Sequence, residues 1–368
     1  MKRGLWPVLG MGLWIVLGAC GKGEAAPPQN AEVTVRLLTD DSGIDDKSFN
    51  AAAWRGILEF YGDTWENPKG RGIHYDVITA QTQDMYVPNI RQATDEQYDL
   101  IVTTGFTFAE ALEEVAAENQ DQKYLIVDVS SLNLPNVMQA VFAEHEGSYL
   151  VGVAAALKAQ ADGIVDPRFG FIGGIPDATI TKFEVGYIQG ILSVIPGARI
   201  AEYYVGDWNR PDMAKSQAKN WYDSGVYIIY SAAGNSGNGT IAQAKEYRTQ
   251  GRNVWAIGVD SDQYEEGLLL NSGESAVLTS MLKMVETAIL YGLNAVKSGG
   301  FKGEVITFDM EVGGVGYSTK NAALTSGIAA RLEEIKQRII SGEIKIAKTY
   351  AEAKKLPGFP QNLNATDN

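Results

Sequence analysis

Four aspartates crowd the segment TDDSGIDDKSFN, residues 39–50, where the local pattern changes from strand-like to helix-like. Apolar residues precede the segment, and a stretch with one apolar face, containing Trp54, Ile57 and Leu58, follows it. Carboxylates at such a junction can do three kinds of chemistry. They can cap the helix that follows, coordinate a hard cation, or accept hydrogen bonds from a polar ligand.

Helix capping explains part of the cluster. Acidic side chains near a helix N-terminus accept hydrogen bonds from unpaired backbone N–H groups and interact favourably with the helix dipole. This fits Asp45 and Asp46, which directly precede the helical pattern. Asp40 and Asp41 lie at the strand end instead, so capping leaves them unexplained.

A calcium site is the second interpretation, because nucleoside hydrolases carry the motif Asp-x-Asp-Pro-Gly-x-Asp-Asp at a strand end. Aligned on Gly43, this chain has Thr39 in place of the first aspartate and Ser42 in place of the proline. A hard cation needs several oxygen ligands at once. The two histidines of the chain, His74 and His145, lie outside the segment, which leaves few groups for proton transfer.

Recognition of a neutral polar ligand such as a sugar is the third interpretation. An ionised carboxylate accepts two hydroxyl hydrogen bonds in a fixed plane, and its charge strengthens them. Phe49, directly behind the aspartates, offers a flat apolar face to such a ligand. The segment alone therefore leaves a hydrolase and a binding protein as alternatives.

Strands and helices alternate along most of the chain, which predicts parallel sheets covered by helices. Helical patterns include residues 108–119, 147–161 and 214–223. Ligands bind beyond the carboxyl ends of the strands in such sheets. The number of strands suits two sheets better than one; the candidates are residues 33–39, 73–79, 100–104, 124–129, 169–173, 200–205, 226–230, 254–259, 276–280 and 305–308.

A weak internal repeat links the two halves of the chain. In each half a glycine loop ends one strand, and the next strand ends in Val-Asp: Gly105 precedes Asp128 by 23 residues, and Gly234 precedes Asp260 by 26. We expect two similar lobes that each offer an aspartate to a shared cleft. The alternative is the general preference of strand-to-helix loops for glycine and aspartate.

The N-terminus has the pattern of an exported lipoprotein. Lys2 and Arg3 precede an apolar run over residues 5–18, which is too short for a comfortable membrane span. The run ends in Leu-Gly-Ala-Cys, which resembles a bacterial lipobox, so we expect cleavage before Cys20 and acylation of its thiol. Cys20 is the only cysteine, so no internal disulfide can form.

The composition excludes some classes of partner. A formal net charge of −14 and a pI near 4.7 argue against nucleic acid and against attraction to anionic lipid. An apolar content of 45% is that of a globular chain, long enough for two lobes of ordinary size.

Several motifs together resemble one family, the basic membrane protein family of bacterial lipoproteins, which includes purine nucleoside receptors. The matching strings follow one another in the family's order from about residue 33 to about residue 318: DSGIDDKSFNAAAW, IVTTGF, YLIVD, GFIGG, YYVGDW, IYSAAGNSGNG, AIGVDSDQ, VLTSMLK and GGVGYS. The resemblance implies a type I periplasmic-binding-protein fold, with two Rossmann-like α/β lobes joined by a hinge. It implies capture of a purine nucleoside (inosine, guanosine or adenosine) for the permease of an ABC transporter, with no catalytic residue, metal or cofactor.

The resemblance also implies the binding residues. Phe49 and Trp208 would stack on the two faces of the base, although Trp208 stands where the family usually has phenylalanine. Asp260 would accept the ribose hydroxyls, and Lys283 would donate to a ribose oxygen or hold Asp260 in place. The other implied positions are Asp40, Asp46 and Asp128 for polar edges of the ligand, Gly105 and Gly234 for close backbone approach, and Asn50 and Phe106 in the cavity wall.

These patterns and the resemblance give a domain plan and a set of partners. The plan has a signal peptide at 1–19, a lipid-anchored tether at 20–31, an N-terminal lobe at 32–143 plus about 261–305, a C-terminal lobe at 144–260 plus about 306–355, and a tail at 356–368. We expect a monomer, held at the cell envelope by Cys20 and handing a nucleoside to an inner-membrane permease. A sugar or autoinducer receptor of the same fold and, less favoured, a secreted nucleoside hydrolase are the alternatives.

Overall fold

Two six-stranded sheets organise the residues that the computed structural model describes, 33–270 and 272–363. The first sheet contains, in spatial order, β11 (Val305–Phe308), β5 (Val137–Phe142), β4 (Tyr124–Val127), β3 (Leu100–Thr104), β1 (Val35–Thr39) and β2 (Tyr75–Thr79). The second contains β12 (Val315–Tyr317), β10 (Val277–Lys283), β9 (Trp255–Asp260), β8 (Val226–Ala232), β6 (Arg168–Gly173) and β7 (Arg199–Tyr204). The expected signal peptide, Cys20, the tether and the end of the tail lie outside the described residues.

Helices cover these sheets, as the alternating pattern predicts. They are α1 (Phe49–Tyr61), α2 (Tyr86–Asp95), α3 (Ala109–Glu118), α4 (Glu144–Ala161), α5 (Ala178–Val194), α6 (Pro211–Asp223), α7 (Asn238–Thr249), α8 (Val285–Lys297), α9 (Ser326–Ile340) and the short α10 (Tyr350–Ala353). The two-lobed α/β fold is therefore confirmed. None of the helices in the described part of the chain has the length and hydropathy that a membrane crossing needs.

Two strands, β5 and β12, are not predicted by the sequence pattern. In β5 the polar Gln139 interrupts the apolar run, yet it is buried, and its amide bonds the backbone of Leu132 at 2.8 Å through both its oxygen and its nitrogen. The other strand, β12, has only three residues and pairs antiparallel with β10. All other strand pairs are parallel.

The two sheets have the same strand order, which confirms the internal repeat. In each lobe the second strand lies at one edge, followed by the first, third, fourth and fifth strands and then by a late strand, β11 or β12. Gly105 and Gly234 follow the third strand of their lobes, while Asp128 and Asp260 stand at the end of the fourth. The carboxyl ends of equivalent strands thus present the same residue types to the space between the lobes.

The chain exchanges lobes after the fifth strand of each. Helix α4, which follows β5 and Ala143, packs against α5 of the second lobe, and α8, which follows β10 and Met284, packs against α1 of the first. A third crossing joins β11 to β12. The predicted boundary at about residue 261 is therefore wrong: β10 is hydrogen-bonded beside β9 in the second sheet, and the return to the first lobe comes at residue 284. The chain then crosses back after Phe308, so β11 belongs to the first sheet.

Glycines allow α4 and α5 to pack backbone against backbone. A Cβ on Gly152 would lie 2.2 Å from the carbonyl oxygen of Tyr187, and one on Gly190 would lie 2.1 Å from that of Tyr149. These distances are well inside van der Waals contact, so the two helices can stay this close only without side chains at these positions.

Replacing Gly152 by alanine should lower the free energy of unfolding by about 1–3 kcal/mol, because the two helix backbones must move apart. Urea unfolding followed by circular dichroism measures this difference. Gly327→Ala is the matched control: an added Cβ on this exposed helical glycine meets nothing within 4 Å, so stability should be kept or rise by up to about 1 kcal/mol. Equal stabilities of the two variants would contradict the close helix packing.

Candidate functional site

A cavity lies between the lobes and is lined by residues from the strand ends of both. The structure brings all eleven predicted binding residues to it: Asp40, Asp46, Phe49, Asn50, Gly105, Phe106, Asp128, Trp208, Gly234, Asp260 and Lys283. Sequence reasoning missed seven further lining residues: Ser42, Thr104, Thr107, Ile180, Phe183, Ala232 and Val259. Position next to Gly105 could have indicated Thr104, whereas Ile180 and Phe183 lie on α5 and carry no signal beyond an apolar pattern.

The two aspartates of the repeat share an unusual backbone conformation. Asp128 has φ 71° and Asp260 has φ 62°, and Gly105 and Gly234 are also left-handed, at 101° and 53°. Few residues other than glycine adopt this region, and aspartate is among those that do so more readily. The matched conformations turn both strand ends sharply at the cavity.

Asp46 is the helix cap of the aspartate cluster. Its Oδ1 accepts hydrogen bonds from the backbone N–H groups of Ser48 and Ala51, both at 2.9 Å, and its Oδ2 accepts one from Asn50 at 2.8 Å. Burial raises the pKa of this carboxyl to about 7, while the three N–H donors act in the opposite direction. These bonds give Asp46 a capping role at the start of α1. One acceptor position, on Oδ2, remains for a ligand, so the ligand contact that the resemblance implies stays a prediction. Asp45 is exposed.

Replacing Asp46 by alanine should lower the free energy of unfolding by about 1–2 kcal/mol, because three buried N–H groups lose their acceptor. The same replacement at the exposed Asp45 should leave stability unchanged. Thermal and urea unfolding of the two variants side by side test this. If the Asp45 variant loses as much stability as the Asp46 variant, the assignment of Asp46 as the cap is wrong.

A chain of hydrogen bonds across the strand ends of the first lobe holds Asp40 in place. Its Oδ1 accepts hydrogen bonds from Asn50 Nδ2 at 2.9 Å and from the N–H of Ser42 at 3.1 Å. Asn50 Oδ1 in turn accepts the hydroxyl of Thr104 at 2.6 Å. Burial raises the pKa of Asp40 to about 6. Because these hydrogen bonds use Oδ1, Oδ2 of Asp40 is available to accept from a ligand.

Lys283 pairs with Asp128 across the two lobes. Its Nζ lies 2.6 and 2.7 Å from the two oxygens of Asp128 and 3.1 Å from Oε1 of Glu144. An ammonium has three N–H donors; Lys283 donates to Asp128, whereas Glu144 is an ion-pair neighbour whose Oε1 accepts no hydrogen bond. The expected contact of Lys283 with Asp260 is therefore corrected: among the described residues Asp128, not Asp260, is its hydrogen-bonded partner. Donation from Lys283 to a ribose oxygen stays a prediction.

Asp260 keeps one carboxylate oxygen for a ligand. Its Oδ2 accepts the hydroxyl of Ser48, from the other lobe, at 2.6 Å, and among the described residues no backbone N–H bonds its side chain. Asp260 is therefore not a helix cap. Burial raises the pKa of its carboxyl, and the nearby charge of Lys283 opposes that rise. In the described part of the chain, no donor is hydrogen-bonded to Oδ1 of Asp260.

The aromatic residues come from opposite lobes. Phe49, at the start of α1, lies over Gly105, where an added Cβ would approach its ring to 3.9 Å. Trp208, after β7, lies so close to Gly174 that a Cβ there would fall 1.9 Å from the indole. Phe106 meets Trp208 edge to face, with ring centroids 5.8 Å apart, and so forms part of the cavity wall.

Hydrogen bonds join the lobes beside the cavity. Three backbone carbonyl groups in the loop before α1 accept hydrogen bonds from side chains of the second lobe. The pairs are Asn238 Nδ2 to Asp46 at 2.9 Å, Gln263 Nε2 to Lys47 at 3.3 Å, and Ser261 Oγ to Ser48 at 2.9 Å. The second lobe thus holds the aspartate-rich loop by three hydrogen bonds to its backbone. The sequence did not predict these contacts between the lobes.

Comparison with known proteins places this geometry among transport proteins. Residues 33–350 match the profile of the Bmp family, described as ABC transporter substrate-binding protein, PnrA-like. The chain is 35% identical to a CD4+ T-cell-stimulating antigen of Listeria innocua, over 90% of this chain and 94% of the relative. It is 32% identical to the ABC transporter nucleoside-binding protein BmpA of Lactococcus lactis, over 90% and 94%. A solute-binding protein of an ABC transporter system from Aeropyrum pernix has a similar structure, with a TM-score of 0.73, 25% identity, and coverage of 88% of this chain and 96% of that one.

Proposed function

The chain belongs to the Bmp family of PnrA-like ABC transporter substrate-binding proteins, and from this premise we propose that its interlobe cavity captures purine nucleosides for uptake. Proteins of this family bind a substrate for a transporter and are not enzymes, so the hydrolase alternative falls. The observation that carries the proposal is the approach of Phe49 and Trp208 to one cavity from opposite lobes, beside the available carboxylate oxygen of Asp260. A relative named as nucleoside-binding supports it.

Each group has a role in this proposal. The two aromatic rings lie against the faces of the base, and each stacking contact contributes roughly 1–3 kcal/mol. Asp260 accepts the ribose hydroxyls through Oδ1, and Asp40 accepts from a polar edge of the base through Oδ2. Charge-assisted hydrogen bonds contribute about 1.5–3 kcal/mol each, and the loss of motion on binding offsets part of the sum. The expected net free energy, roughly −9 to −11 kcal/mol, corresponds to a Kd between sub-micromolar and about 10 nM.

We further propose that Cys20 is acylated and anchors the protein beside its permease. The support is the order of basic residues, short apolar run and small residues before the only cysteine. Export of the full chain in a bacterial host with radiolabelled palmitate tests it: the wild-type protein should be labelled, and Cys20→Ser should not. An unlabelled wild-type protein would contradict the anchor.

Calorimetric titration of residues 21–368, refolded to remove carried-over ligand, tests the ligand. Inosine, guanosine, adenosine, cytidine and ribose are added in turn, with and without calcium. One-to-one binding of purine nucleosides that is independent of calcium supports the proposal and ranks the bases. Heat from ribose alone, or displacement of a nucleoside by ribose, would instead indicate a sugar receptor, and silence from all the nucleosides would overturn the proposal.

A further inference from the structure

Four charged side chains form a buried cluster at the back of the cavity: Asp128, Glu144, Lys182 and Lys283. Glu144 contacts both lysines, with Oε1 3.1 Å from Lys283 Nζ and Oε2 3.1 Å from Lys182 Nζ. Lys283 joins the cluster to Asp128. The side chains of Lys283 and Glu144 are each 1% exposed, and that of Lys182 is 24% exposed. Two carboxylates and two ammonium groups make the cluster electrically neutral.

The cluster lies where the chain passes between lobes. Glu144 is the first residue after the crossing at Ala143, and Lys283 is the last before the crossing at Met284. Ala143 and Met284 have closely similar backbone angles, φ −90° ψ 59° and φ −78° ψ 63°. Glu144 and Lys283 thus meet beside two equivalent crossings, and only Asp128 of the cluster belongs to the first lobe.

We propose that Glu144 is a positioning residue for the ligand: it fixes Lys283 on Asp128 and so keeps the carboxylate of Asp260 available. Glu144 does not line the cavity and therefore acts through Lys283. Lys182 pairs with the second carboxylate oxygen of Glu144, at 3.1 Å. This inference rests on the proposed function, because the ligand used to test it is a purine nucleoside.

Charge balance among buried groups is the physical reason why Glu144 can control the position of Lys283. Burial opposes ionisation of Lys283 and Glu144, yet the carboxylates raise the pKa of Lys283 and the lysines lower the pKa of Glu144, so both stay charged. Asp260 is the remaining nearby carboxylate that attracts Lys283. Without Glu144, the cluster carries an excess positive charge that draws the Lys283 ammonium toward Asp260. There the ammonium competes with the ribose for that carboxylate.

Neutralising one or both members of the Glu144–Lys182 pair tests the proposal by calorimetry with the best-bound purine nucleoside. Glu144→Gln should weaken binding at least tenfold, because the cluster gains a net positive charge. Lys182→Gln should weaken it at least threefold, because Glu144 then draws Lys283 away from Asp128. The double variant restores neutrality and should bind within threefold of wild type. A structural role alone would make the two losses accumulate, so a double variant weaker than either single variant would overturn the proposal.

The exposed pair Lys215–Glu246 is a matched control, since its atoms are also 3.1 Å apart but both side chains are about half exposed. Lys215→Gln, Glu246→Gln and their double variant should bind like wild type. Thermal unfolding of every variant separates loss of fold from loss of affinity, and the partly exposed Lys182 supplies a test even if Glu144→Gln fails to fold. A wild-type protein that binds nucleosides, with single variants that bind equally well, would overturn this inference and leave the proposed function intact.

Discussion

Replacing Asp260 by asparagine should weaken purine nucleoside binding about 100-fold or more while the chain still folds. Asp260 has one oxygen bonded to Ser48 and the other available in the cavity, so the proposed ribose contact depends on its charge. Loss of two charge-assisted hydrogen bonds removes about 3 kcal/mol or more, and each 1.4 kcal/mol is about a tenfold change in Kd. Calorimetric titration of inosine into the variant and into the wild-type protein measures the difference in Kd.

Asp262→Asn is the control for that experiment. Asp262 is two residues further along, is exposed, and bonds only the N–H of Tyr264 among the described residues, at 3.1 Å. Its replacement should leave the affinity unchanged. If Asp260→Asn changes the affinity no more than twofold, Asp260 serves the contact with Ser48 and not the ligand.

Replacing Trp208 by alanine should weaken binding about 30- to 100-fold, near the upper end of the roughly 1–3 kcal/mol range for an aromatic face, since indole is the largest such face. Trp208→Phe keeps a ring at the same place and should bind within about fivefold of wild type. Titration calorimetry gives the affinities. Quenching of tryptophan fluorescence by the ligand should diminish in both variants if Trp208 is the reporting group.

Gly174→Ala provides an independent test of the same stacking. Its Cβ would lie within the space of the indole, 1.9 Å from a ring carbon, so the ring must move away and binding should weaken although Trp208 is still present. Trp65→Ala, at an exposed tryptophan, should change nothing. Full affinity in both Trp208→Ala and Gly174→Ala would exclude a stacking role for Trp208.

The sequence predicts the cavity well because strand-end loops are local features. Parallel strands bring their carboxyl ends to one edge, so Asp40, Asp128 and Asp260 could be assigned to a cleft from position alone. The equivalence of Gly105 and Gly234 follows from the same logic. The roles of these residues in binding stay predictions, which the titrations above decide.

Pairings across the lobes could not be predicted, because they depend on where the chain crosses between sheets. A local pattern does not reveal that β10 belongs beside β9, and so it does not place Lys283 opposite Asp128. The choice of Asp46 over Asp45 as the helix cap depends in the same way on a single loop geometry, which buries one carboxylate and exposes its neighbour.

The exchange of helices between the lobes governs how the protein can be made. When the ribosome has reached residue 283, the first sheet still lacks both α8, which packs on α1, and β11, which pairs with β5. The second sheet still lacks β12. Two unfinished lobes with open apolar faces therefore coexist in the nascent chain, a state that invites aggregation. Neither sheet is complete until the segment from Val305 to Tyr317 has been added, because β11 and β12 are the last strands of the two sheets.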